Sequence, residues 1–199
     1  MNEQIWWYAA RSSGIVAWVL ITASIVWGLS LSTRITGQKP TPAWLLDLHR
    51  YLGGSSVIFT AIHLGSLVAD SWVYFGWLET FVPFYYTPKF PTDVAGQVEV
   101  GIGVLAFYFM MAIQITSLMM RKLPRRVWRW VHWSSWPLFF LATYHGLYSG
   151  TDVQNPFYRY MALLSVGAVF FLSIVRFLAP SKARRKAQRA QPAPSTASV

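Results

Sequence analysis

Apolar residues collect in five stretches along this chain, and each is long enough to cross a bilayer at about 20 residues. The first runs roughly from Ile5 to Leu31 and the second from Trp44 to Val68. The third covers about Val98 to Met120, the fourth Val127 to Tyr148 and the fifth Tyr158 to Leu178. The pattern predicts an all-α fold, an integral membrane bundle of five transmembrane helices over residues 1–178. From Ala179 the sequence APSKARRKAQRAQPAPSTASV is basic and then rich in Pro, Ala and Ser, which predicts a disordered tail over 179–199. Ser71 to Gln97 is long for a connection between neighbouring spans. Its segment SWVYFGWLETFVPFYY is aromatic but too interrupted to cross. It is expected to lie in the outer interface as a short amphipathic helix or lid, serving as an aromatic anchor or covering an outer cofactor.

Composition strengthens the membrane reading. Hydrophobic residues make up 54% of the 199 positions and charged residues 12%, where soluble domains carry roughly a quarter charged. The net charge of +10 would suit nucleic acid, but its placement argues for a membrane surface instead. Fourteen of the seventeen basic residues fall on one side of the five spans, after span 1, between spans 3 and 4, and after span 5. Only Arg11, Lys89 and Arg159 fall on the other. Six acids (Glu3, Asp70, Glu79, Asp93, Glu99, Asp152) accompany those three, with Asp47 the exception. The positive-inside rule makes the basic side cytoplasmic, with the N-terminus outside and the C-terminus inside a cell membrane. The basic clusters then set topology and touch anionic lipid, and they are compatible with docking a cytosolic partner. MNEQIWWYAA has no basic leader and no cleavage site before the first apolar run, so the N-terminus is expected to stay uncleaved.

The chemistry-bearing residues are the four histidines, and all lie in spans 2 and 4. With no cysteine in the chain, disulfides, Cys-ligated iron–sulfur clusters and thioether-attached haem are excluded. His49 and His63 are fourteen positions apart, and His132 and His145 thirteen. Spans 2 and 4 both run from inside to outside. His49 and His132 therefore share an inner level, and His63 and His145 an outer one. A helical rise of about 1.5 Å per residue separates the levels by roughly 20 Å. Fourteen residues end about 40° short of four turns, which keeps His49 and His63 on one face; thirteen leave His132 and His145 roughly 140° apart on an ideal helix. Pro137 lies between that second pair and can bend the helix.

Two haem b groups fit this ligand set, because two imidazoles complete an iron centre that has no open position and works in electron transfer. Gly53, Gly54, Ser55 and Ser56 leave room for a flat ring, and Phe59, Phe139, Phe140 and Tyr144 can fill the space around it. Arg11 and Arg50 are candidates to pair with outer and inner propionates respectively. Plainer roles compete: a lone intramembrane histidine can bond across helices, glycines can serve packing, and Arg11 can snorkel to the surface. Four histidines at two matched depths favour the cofactor.

The segments LHRYLGG, AIHLG, RRVWRWVHWSSWP and ATYHG, with ARSSG around Arg11, resemble the ferric reductase-like transmembrane family over about residues 6 to 178. That family includes the haem domains of NADPH oxidases and ferric reductases, and the haem subunit of the bacterial periplasmic methionine sulfoxide reductase system. The resemblance implies His49–His132 as ligands of the inner haem iron and His63–His145 as ligands of the outer one, the same pairing that depth alone suggests. Unlike the oxidases, the chain has about twenty residues after span 5 and no GxGxxG, so no flavin or nicotinamide site is expected. The expected function is transmembrane electron transfer from a separate flavoprotein or quinol to an extracytoplasmic acceptor. The competing expectation is a non-redox scaffold or transporter that uses the histidines for metal or protons. The lack of carboxylates within the spans, Glu99 near an outer end apart, counts against it.

Overall fold

The computed structural model describes residues 4–33, 43–71, 75–87 and 96–178. Among them the order is α1 (Gln4–Thr33), α2 (Ala43–Ala69), α3 (Trp77–Phe81), α4 (Gln97–Leu118), α5 (Arg125–Trp133), α6 (Ser135–Ser149), one 3₁₀ turn (Thr151–Gln154) and α7 (Pro156–Leu178). No strand occurs among the described residues. The connector carrying Arg34 and Lys39, the segment with Lys89 and Asp93, residue Glu3 and the tail from 179 lie outside them.

Long helices form where nothing interrupts the backbone ladder. α1, α2 and α4 contain no proline, and the proline of α7 stands at its first position, where no N–H is needed. Asn155 precedes it and accepts the Phe157 N–H on its Oδ1 at 3.0 Å, capping the helix start. α1, α2, α4 and α7 are each long and apolar enough to cross a membrane. Their outward faces carry large apolar side chains such as Ile58, Leu163, Leu164, Phe170 and Phe171. Small and hydroxylated residues, including Ser13, Ser56, Ser66, Thr143 and Ser173, are buried. Apolar outward faces with small hydroxylated residues between helices suit a bundle whose solvent is lipid, where association depends on close packing and polar contacts.

α1 and α2 form the most extensive helix pair, α4 and α6 the next, and α1 also packs on α6 and α7. Two indole bonds tie these elements together: Trp27 donates to the Leu45 carbonyl at 2.9 Å, and Trp18 to Thr143 Oγ1 at 3.0 Å. The centre of the bundle is filled by Ile21, Ala106, Met110 and Leu138, with Phe139 and Val169 fully enclosed.

The fourth apolar stretch departs from the expected single helix. It forms two helices of 9 and 15 residues that meet at Ser134. Pro137 has no N–H to give the Trp133 carbonyl, so the ladder lapses there. The Ser134 N–H instead bonds back three residues to the Val131 carbonyl at 3.0 Å. No residue of α5 is buried.

The short helix expected in the aromatic loop is present as α3. Phe75 and Tyr86 stack at 4.7 Å between ring centres and pack with Val100 and Leu67. Tyr108 donates to the Phe81 carbonyl at 2.7 Å. The described part of the loop, residues 75–87, is therefore folded onto α2 and α4.

Candidate functional site

The four histidines come together in two pairs. His49 of α2 meets His132 of α5 with ring centres 6.0 Å apart and planes at 72°. His63 of α2 meets His145 of α6 at 6.3 Å and 77°. Early residue faces early residue and late faces late, so α2 and the α5–α6 segment run in the same direction. His132 and His145 sit on separate helices either side of Ser134, so the roughly 140° offset of one unbroken ideal helix is not the geometry that applies to them.

Main-chain carbonyls of neighbouring helices hold three of the rings. His63 Nδ1 donates to the Ala10 carbonyl at 2.7 Å, and His49 Nδ1 to the Ser24 carbonyl at 3.0 Å, both on α1. His145 Nδ1 donates to the Glu99 carbonyl of α4 at 2.9 Å. A carbonyl only accepts, so each of these rings carries a proton on Nδ1, and in its neutral form the lone pair is on Nε2. His132 differs. Its Nδ1 is enclosed with no hydrogen-bond partner among the described residues, as is the nearby Nε1 of Trp128. Trp128 stacks on the His132 ring at 5.0 Å and 24°.

The two arginines singled out from the sequence are both engaged with acids. Arg11 makes a two-point pair with Asp152, Nε to Oδ2 at 2.5 Å and Nη2 to Oδ1, and lies over the Trp7 ring at 4.9 Å. Asp152 follows α6, so this bond joins the start of α1 to the turn before α7. Arg50 meets Asp47 at 3.2 Å, with both side chains more than half exposed. On α5, a cleft of about 560 Å³ is lined by Arg125, Arg126, Arg129, Trp130 and Trp133. Of the positions expected to leave room for a ring, Gly54 has nothing within 4 Å of where a Cβ would stand. Gly53 faces Gln114 and Ser24. Among the described residues no group of three or more His, Asp or Glu gathers as a site for a bare metal ion.

Sequence reasoning misses the carbonyl acceptors, since a main-chain oxygen has no side-chain signature. It also misses Asp152 as the partner of Arg11; the available signal is one base and one acid assigned to the same side of the membrane.

The all-helical bundle with four long lipid-compatible helices defines a multi-pass integral membrane protein. The chain belongs to the ferric reductase-like transmembrane family: the family described as ferric reductase like transmembrane component matches residues 13–143. The match begins at Ser13 within α1, runs through most of α6 and contains His49, His63 and His132; it starts two residues after Arg11 and stops two residues before His145. No curated protein and no solved structure matches the chain. Family membership points to a role in electron transfer within the membrane.

Proposed function

We propose that this protein is a two-haem b electron carrier, with His49 and His132 holding an inner haem and His63 and His145 an outer one. The observation that carries the reading is the pairing itself. Two imidazoles are too few for a bare ion such as zinc, which takes about four ligands. They are the number required by an iron already ringed by four porphyrin nitrogens. An imidazole nitrogen bonds a first-row metal at about 2 Å. Two such bonds and about 1 Å from each nitrogen to its ring centre give roughly 6 Å between ring centres across one metal. The observed 6.0 and 6.3 Å separations agree with that span. Nδ1 donation to carbonyls leaves Nε2 of His49, His63 and His145 as the ligating atom and raises its basicity.

When bound, a bis-imidazole haem supplies one-electron transfer without an open site for substrate. The chain's own part is to fix the imidazoles and to keep them in a dry bundle. α5 and α6 together complete a fifth crossing in this reading, with the N-terminus outside and the C-terminus cytoplasmic, the orientation that the positive-inside rule favours. The Arg- and Trp-lined face of α5 then lies at the inner surface beside His132, where a cytosolic flavoprotein or a membrane quinol would deliver electrons. An extracytoplasmic acceptor would receive them near His63–His145, under the aromatic loop.

Purified protein should show a reduced b-type spectrum with about two haems per chain, the count set by two bis-histidine pairs. A colourless protein after expression with ample haem would overturn the proposal. NADPH alone should reduce neither centre, and rapid reduction by NADPH with contaminating reductases excluded would show that the chain holds its own donor site.

A further inference from the structure

Three glycines stand in one fixed relation to three of the histidines. The carbonyl that accepts from His63 belongs to Ala10, and Gly14 follows four residues later. The carbonyl that accepts from His49 belongs to Ser24, and Gly28 follows four later. The carbonyl that accepts from His145 belongs to Glu99, and Gly103 follows four later. In a helix the residue four positions on stands directly above that carbonyl, since its own N–H bonds the same oxygen. Any side chain there overhangs the second lone pair, the one a ring from another helix must reach.

The clearances show how little room remains. A Cβ at Gly103 would lie 2.6 Å from His145 Nδ1, and one at Gly14 would lie 2.9 Å from His63 Nδ1. At Gly28 it would lie 3.1 Å from His49 Cε1. By contrast, Gly167 of α7 has nothing within 4 Å. The fourteen-residue gap between Gly14 and Gly28 equals the gap between His49 and His63, as two antiparallel helices packed in one register require. Among the described residues, His132 has neither a carbonyl partner for Nδ1 nor a glycine against its ring.

We propose that Gly14, Gly28 and Gly103 are positioning residues that seat His63, His49 and His145 on main-chain carbonyls, and that His132 is the one histidine of the four left without such a seat. The inference rests on the two-haem reading for its consequence, but the seating itself is read from contacts between the protein's own atoms. Losing the seat releases the Nδ1 bond, lets the ring turn and lowers the basicity of Nε2.

The test uses the full-length chain in two measurements. Nitrogen NMR of ¹⁵N-histidine-labelled apoprotein should show three rings protonated and hydrogen-bonded at Nδ1 and one, identified by His132→Gln, that is not. Four equivalent rings, or a different odd one out, would overturn the proposal even if the protein never binds haem. In protein loaded with haem, Gly103→Ala and Gly14→Ala should weaken retention of the His63–His145 haem by about 10-fold or more, the usual scale for losing a ligand's supporting hydrogen bond. The fraction retained should show a raised midpoint potential. Gly28→Ala should act in the same direction, more mildly, on the other haem, and Gly167→Ala should match wild type. Wild-type retention and potentials in both Gly103→Ala and Gly14→Ala would reject the seating. If those variants fail to fold, the wild-type NMR pattern alone decides. Absence of haem from wild-type protein would strike the two-haem reading and leave the NMR result standing.

Discussion

The two ends of the paired-histidine region are built differently. At the His63–His145 end both rings are seated on main-chain carbonyls of long helices, Ala10 of α1 and Glu99 of α4. At the His49–His132 end only His49 is seated, on Ser24. His132 rides on a nine-residue helix with no buried residue, its Nδ1 without a partner among the described residues and one face covered by Trp128. Donor sets of the same chemistry thus differ in how firmly the surrounding bundle holds them. A ligand held by two long helices has little freedom to turn; one on a short helix beyond a proline-induced break has more.

The strongest way to break the comparison is to remove the histidines proposed as ligands. His63→Ala or His145→Ala should reduce the haem count from about two to about one per chain and spare the other centre, since each centre needs both imidazoles. His49→Ala or His132→Ala should remove the complementary one. Redox titration of all four variants checks this, and loss of the same centre from His63→Ala and His132→Ala would dissolve the pairing.

Pro137→Ala sharpens the contrast at the weaker end. It restores a donor for the Trp133 carbonyl and allows α5 and α6 to join. A continuous helix would swing His132 roughly 140° from the direction of His145. Haem at His49–His132 should fall several-fold while His63–His145 is kept. Equal loss at both ends, read from haem stoichiometry and optical spectra, would show that the break at Ser134 is not what presents His132.

Smaller effects are expected from the arginines. Arg11→Ala and Asp152→Ala should each lower the thermal midpoint by a few degrees, on the scale of about 2–4 °C per kcal/mol for a chain of this size. The double variant should add little, because one interaction is removed in all three. Full additivity would mean that Arg11 acts elsewhere, as on a propionate. Arg50→Ala should change stability by less than about 0.5 kcal/mol, given an exposed i,i+3 pair. If the guanidinium leaves Asp47 for a haem propionate, the same variant lowers the midpoint potential of the His49–His132 haem, because a nearby positive charge favours the reduced state. An unchanged potential with full haem content assigns Arg50 to the surface ion pair alone.

Much of this architecture is legible in the residues because the bilayer leaves few choices. Apolar runs of span length become helices, since a backbone in lipid must satisfy its own hydrogen bonds; α1, α2, α4 and α7 follow. The histidine spacing and the matched order of the two spans already sort His49 with His132 and His63 with His145, and the rings meet in those pairs. Pro137 marks where the fourth stretch yields, although its position alone does not say whether the helix bends or divides. Tertiary structure decides the rest. The seats of His49, His63 and His145 are carbonyl oxygens, identical in every residue until the fold aims one at a ring, and their glycines acquire meaning only once α1 and α4 lie against the histidine helices. Asp152 reaches Arg11 only because the turn after α6 returns to the start of α1, a long-range closure that no local pattern encodes. Periodicity and charge are local properties that the chain carries with it; acceptors and clearances belong to pairs of elements and exist only after packing.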